Sequence, residues 1–210
     1  THIFVCRNGV IDLNNCVFRN GRLEDMMMRY SDIDYIDDDI IKKNLACIKF
    51  LKAPNNQFPF FNGCSENDLS RFDKYLEEHS LSKRNKKFVI GGIFYAKSKN
   101  QRLYFDIGCP PKKNFSKNYQ SGPLSFEYFL DGIKIITNCG FGNNISPKAE
   151  LVSRLTASQS TLTINDTSIT KFERNKLINR VFGNSIKNTF KTSDLEFKTD
   201  KNLIGCSASH

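Results

Sequence analysis

Asp131-Gly132 lies between two β-rich runs, Leu124 to Leu130 and Ile133 to Asn138, and this dipeptide constrains the fold more than any other feature. A two-residue type I′ turn needs φ > 0 at both central positions, which Asp-Gly accepts, so the spacing predicts an antiparallel hairpin. A short polar segment, Asn118-Tyr119-Gln120-Ser121-Gly122, precedes it and ends in Pro123, a residue suited to a strand start or edge. This polar lip is where a functional site is expected.

The first thirty residues give no readable element. From Ser31 the pattern sharpens: Ile33, Ile36, Ile40, Ile41, Ile48 and Leu51 recur at helical spacing, and Pro54 closes the segment. The acidic triplet Asp37-Asp38-Asp39 suits the first turn of that helix. Three consecutive helical positions point in different directions, so the triplet is not a metal site. Glu66 to His79 reads as a second helix with Leu69, Phe72 and Leu76 on one face. After Arg84 the period changes to two. Strands are expected over 88–96, 103–107 and 160–165, with later candidates at Phe190, Leu195 to Lys198 and Leu203 to Cys206. The expected architecture is mainly β: an antiparallel β-sandwich over 86–210, preceded by a helical segment over 1–85.

Composition limits the function classes. The longest apolar runs fall far short of a membrane span. Seven scattered cysteines (Cys6, Cys16, Cys47, Cys64, Cys109, Cys139, Cys206) contain no C-x-x-C pair, which argues against a zinc ribbon or a disulfide framework. Cys47 and Cys139 sit in apolar patterns and read as buried hydrophobes. A net charge of +9 suits a polyanionic partner or a solvated basic surface. The cations gather at Lys83-Arg84-Asn85-Lys86-Lys87 and at Lys112-Lys113 with Lys117, without a helical basic stripe or an RNA-binding signature, so nucleic acid is not the expected partner. Neither an initiator Met nor a terminal cap is present, which suggests a piece of a longer protein.

Three motifs in order carry a resemblance. They are Phe105-Asp106-Ile107-Gly108 with Pro110-Pro111, then Gly122 to Glu127 leading to Asn138-Cys139-Gly140, then Arg154 to Leu162 (RLTASQSTL). Together they resemble the C-terminal region of heparinase II/III-like proteins, over roughly residues 40 to 210. Phe61-Asn62-Gly63 and the closing Ser207-Ala208-Ser209-His210 also fit bacterial members.

The resemblance implies a polysaccharide lyase in two parts, an α/α toroid followed by an antiparallel β-sandwich, with the helices of 1–85 as the toroid's last turns. It implies an anionic, uronate-containing polysaccharide as substrate, such as a glycosaminoglycan or an alginate-like polymer, cleaved by β-elimination. A base takes the proton α to the carboxyl, an acid protonates the leaving oxygen, and the carboxylate must be neutralised for that proton to be acidic. Tyr and His usually carry these transfers, mostly from the toroid, which this chain largely lacks. Such proteins often carry His-x-His-x-Asp before the hairpin, part of a structural zinc site. The positions here read Asn118, Gln120 and Gly122, and the His of the third motif is Gln159, so no cofactor is expected.

Asn118, Gln120 and Gln159 can contact sugar hydroxyls or a uronate, or bond nearby backbone. Arg154 can clamp a substrate carboxylate bidentately or join an ordinary surface or internal ion pair. Tyr119 and His210 are the candidate catalytic residues, with packing as the alternative for Tyr119. Glu127 reads as a structural hydrogen-bond acceptor on its strand. A non-catalytic carbohydrate-binding sandwich that has lost the histidines is the other reading. The resemblance places the protein in the periplasm or cell envelope, whereas the cysteines fit a reducing cytoplasm as well.

Overall fold

The computed structural model describes residues 3–6, 9–15, 17–21, 38–66, 69, 73–74, 89–175, 177–179, 183–199 and 204–210. Two compact units divide at Leu45 and Ala46. In the first, β1 (Ile3–Cys6), β2 (Gly9–Asp12) and β3 (Val17–Arg19) form an antiparallel meander. No sign of these strands is legible in the residues themselves. Each has three or four residues, too few for alternation to stand out, and the tie that sets the second turn is a side-chain one. Asp12 accepts from Asn14 N and from Asn15 Nδ2, both at 3.0 Å, and these bonds lower its pKa.

The second unit is built on a five-stranded antiparallel sheet in the order β4 (Val89–Ile90), β5 (Ile93–Lys97), β6 (Gln101–Asp106), β7 (Phe126–Leu130), β8 (Ile133–Ile136). The hairpin at Asp131-Gly132 forms as expected, with φ of 50° and 81°. The run expected as one strand over 88–96 is instead a second hairpin. Gly91 and Gly92, at φ 59° and 81°, turn the chain between β4 and β5. The helix expected over 31–52 is seen as α1 (Asp38–Leu51), residues 31–37 lying outside the described residues. The helix expected over 66–79 also lies mostly outside them.

Strand alternation decides what covers each face of the sheet. Ile93, Tyr104 and Phe129 share one face and pack with Ala53, Leu51, Phe61 and Tyr95. Phe50 meets Tyr95 edge-on, and Tyr104 Oη donates to Lys52 O at 3.0 Å. Phe94 points to the other face and meets Phe197 of β9 (Ser193–Thr199), which pairs with β10 (Ile204–Ser209). The fold is thus mainly β and antiparallel with few helices; α2 (Pro147–Ser153) is capped by Ser146, whose Oγ accepts from Ala149 N.

One expected strand does not form. Residues 160–165 alternate, yet Leu162 and Ile164 are 69 % and 64 % exposed, and Ile164 makes a single bridge to Thr167 across the left-handed Asn165 and Asp166. Side chains hold the segment instead of a ladder: Thr161 Oγ1 donates to Pro123 O at 2.5 Å, and Ser160 N to Asn138 Oδ1 at 2.9 Å.

Candidate functional site

The face of the sheet that holds Tyr104 and Phe129 turns polar at one end, because Asp106 and Glu127 follow the same alternation. Both carboxylates are buried, and both capture the loop after Pro59. Glu127 Oε1 accepts from Phe60 N at 3.0 Å, from Thr137 Oγ1 at 2.9 Å and from Asn138 N at 3.1 Å. Its Oε2 is 3.3 Å from Lys134 Nζ, which sits 3.5 Å from the centre of the Phe60 ring. Asp106 Oδ1 accepts from Gly108 N at 3.0 Å, and Oδ2 from Asn62 Nδ2 at 3.3 Å. Burial pushes the Asp106 carboxyl up to about 6, only partly opposed by these two bonds. Glu127 thus acts as the structural acceptor expected of it. Asp106 lies in a motif that assigns it no role, and the signal that marks it is a carboxylate in phase with core-facing Tyr104.

The lip is laid against this loop. Gly63, at φ 92°, packs so closely on exposed Asn118 that a Cβ there would lie 2.8 Å from the Asn118 Cβ. Gln120 is 2 % exposed and fully engaged. Its Oε1 accepts from Gly63 N at 3.0 Å, while Nε2 donates to Gly140 O at 3.0 Å and Ser153 O at 2.8 Å. Gln159 Nε2 donates to the same Ser153 carbonyl at 2.7 Å. Cys139, read from sequence as buried, is exposed; its thiol donates to Gly140 O at 3.0 Å, and burial of the sulfur raises its pKa.

Arg154 lies beneath the lip at 0 % exposure. Nε donates to Tyr119 O at 2.8 Å and Nη2 to Ser116 O at 3.0 Å, with Cζ 4.2 Å from the Phe172 ring centre. Burial pulls its pKa down to about 10, so it stays protonated at neutral pH. Buried, and without an ion-pair partner among the described residues, it braces the lip through backbone carbonyls. Gln120 and Arg154 are therefore positioned to hold the lip from inside; Asn118 is exposed, and Gln159 is half-buried at the border of the groove.

Tyr119 packs with Phe172 and Ile186 at 5 % exposure, and its hydroxyl makes no hydrogen bond among the described residues. Burial, then the charges of Asp106 and Cys109, push its pKa upward, so the phenol keeps its proton. A protonated phenol can donate to a leaving oxygen but is a poor base. His210 stands apart from this cluster. Its ring meets Phe190 at 5.9 Å, and it borders an open groove of about 710 Å³ that it shares with Leu124, Phe126, Ile136, Gln159 and Leu162.

The zinc implied by the resemblance does not fit these residues. Gly140 O and Ser153 O both accept, which turns the Gln120 and Gln159 amide nitrogens toward them, and Gln120 Oε1 is spent on Gly63 N. At Gly122, where an Asp would stand, a Cβ would come within 2.9 Å of Gln159 Cγ and 3.1 Å of Ser125 Oγ. Among the described residues no three His, Cys, Asp or Glu side chains converge on one point.

The molecule is an antiparallel β domain whose polar lip and sheet end are laced to a preceding loop by a buried amide and two buried carboxylates. The chain belongs to the heparinase II/III-like family: the family described as heparinase II/III-like, C-terminal, matches residues 81–209. The fold is similar to the heparan sulfate lyase HepC of Pedobacter heparinus, at TM-score 0.54, 15 % identity, and coverage of 82 % of this chain and 29 % of that one. A mutant of the same lyase gives TM-score 0.59 and 15 % identity over 81 % of this chain and 28 % of that one. The chain thus spans less than a third of the length of these lyases. No curated protein matches it in sequence.

Proposed function

We propose that this domain is the C-terminal part of a polysaccharide lyase that cleaves a uronate-containing polymer by β-elimination. Membership of the heparinase II/III-like family over residues 81–209 carries the reading, and the likeness in fold to a heparan sulfate lyase agrees with it. In this reading a helical toroid supplies the base, and the sandwich closes one wall of the cleft. Asn118 and Gln159 contact the sugar. Tyr119, packed at 5 % exposure against Phe172 and Ile186, supports the lip from inside, and the acid that meets the leaving glycosidic oxygen comes with the base from the toroid. Gln120 and Arg154 hold the lip in register. A periplasmic or envelope location goes with such a substrate.

The test is incubation of the full-length protein with a panel of uronate polysaccharides. Unsaturated, ultraviolet-absorbing ends are expected, and their absence across the panel overturns the reading. A second reading, a non-catalytic carbohydrate-binding domain, draws on the amide cluster in place of imidazoles at Gln120 and Gln159. It predicts polymer binding without new ends.

A further inference from the structure

The turn that leads into the lip carries more positive charge than its surroundings neutralise. Segments 108–117 and 170–174 flank segment 183–192. Thr192 Oγ1 donates to Gly108 O at 3.1 Å, Ile186 N to Ser116 Oγ at 3.0 Å, and Lys187 N to Lys171 O at 2.7 Å. Phe172 and Ile186 bridge to each other and turn inward onto Tyr119, so the neighbouring Lys171 and Lys187 turn outward, where both are exposed. Lys112, Lys113, Lys117 and Lys191 are exposed on the adjoining segments. Lys117 lies over Gly183, its Cγ 2.7 Å from where a Cβ would stand.

With Arg174 these segments hold seven cations and a single acid, Glu173, which pairs with Lys187 at 3.3 Å. Lys112, Lys113, Lys117, Lys171 and Lys191 have no ion-pair partner among the described residues. Among the lysines of the turn stands Phe115, 78 % exposed. A pyranose offers an apolar C–H face to such a ring while its carboxylate or sulfate groups reach ammonium groups alongside. Proteins that bind single-stranded nucleic acid instead present successive aromatic platforms, and among the described residues of this face Phe115 is the exposed one.

We propose that Phe115 with Lys112, Lys113, Lys117 and Lys191 forms a binding surface for an anionic polysaccharide, outside the lip and continuous with it through Lys117-Asn118. The choice of polysaccharide over other polyanions rests on the lyase reading. Phe115 stacks against a sugar ring, and the ammonium groups neutralise the acidic substituents on either side of it. Diffuse positive charge raises the local concentration of polymer, and a tethered polymer meets the lip at high effective concentration.

The experiment measures binding of fluorescent heparin to the full chain at low and at physiological salt, with neutral dextran and single-stranded DNA as comparisons. Heparin is expected to bind with an affinity that falls as salt rises, and dextran not to bind. Phe115→Ala is expected to weaken heparin binding about fivefold, and K112E/K113E/K117E at least about tenfold. All four positions are exposed, and unchanged unfolding midpoints verify that each variant is folded. The proposal is overturned if heparin does not bind or if both variants retain wild-type affinity. It is also overturned if DNA binds as tightly as heparin and Phe115→Ala leaves heparin binding unchanged. The same samples are read for ultraviolet-absorbing ends. Binding that depends on this face, with no new ends from the full-length protein on any polymer of the panel, leaves the surface standing and removes the lyase reading; cleavage with binding indifferent to these residues does the reverse.

Discussion

Replacing Gln120 by Ala tests whether the buried amide, rather than apolar packing, holds the lip to its neighbours. The side chain makes three hydrogen bonds to backbone groups from three separate segments, at Gly63, Gly140 and Ser153. The two carbonyls keep other donors, since Ser153 O still accepts from Gln159 and Gly140 O from Cys139. Gly63 N–H is left without a partner, at about 1–3 kcal/mol. Two lost bonds at about 0.5–1.5 kcal/mol each bring the total to roughly 2–6 kcal/mol. For a chain of this size each kcal/mol lowers Tm by about 2–4 °C. Urea and thermal unfolding measure the loss, and a cost below about 1 kcal/mol refutes the account, because that is what a solvated loop amide would give.

Gln120→Glu sharpens the test by keeping shape while changing the donor. An ionised carboxylate there would face Gly140 O and Ser153 O in a site 2 % exposed, which raises its folded pKa above the unfolded value of about 4.3. Stability near wild type is therefore expected below about pH 4, with loss as pH rises through the raised folded pKa. A variant whose stability, relative to wild type, does not change with pH would contradict the assigned geometry.

Asp106 gives a related effect in the native protein. Its folded pKa of about 6 lies above its ordinary value, so stability is highest below the unfolded pKa and declines as pH rises toward and through 6. Asp106→Asn is expected to remove that decline from unfolding midpoints taken across pH. Lys134→Met strands the buried Glu127 carboxylate and is expected to cost about 3–5 kcal/mol; adding Glu127→Gln should recover part of it, measured as a double-mutant cycle. Arg154→Lys keeps the charge but loses the fork that reaches both Tyr119 O and Ser116 O, and a loss of about 2–4 kcal/mol in urea unfolding is expected.

Local signals were strong wherever one dihedral requirement or one period decided the outcome. The Asp131-Gly132 hairpin, α1 closing before Pro54, and β9 with β10 could all be read from their residues. Reading failed where the deciding partner is distant in sequence. Residues 160–165 alternate like a strand, but Asn138 and Pro123 hold them by side-chain and carbonyl bonds. Gly91-Gly92 is the opposite case: the pair is itself a local hairpin signal, masked by the β-formers on both sides, and β4 and β5 pair directly across it.

By itself the sequence determined the class: antiparallel β structure and the family motifs, because turn chemistry and alternation act over a few residues. It also determined that amides stand where imidazoles were expected. What those amides do was decided by tertiary structure. Gln120 is brought together with Gly63, Gly140 and Ser153, which lie 57, 20 and 33 residues away, and they fix which of its atoms donate and which accept. Burial did the same for Asp106 and Arg154. A carboxylate to which the sequence assigns no role and a guanidinium it leaves between clamp and ion pair become internal braces, because desolvation is set by neighbours folded over them and not by the residues beside them in the chain.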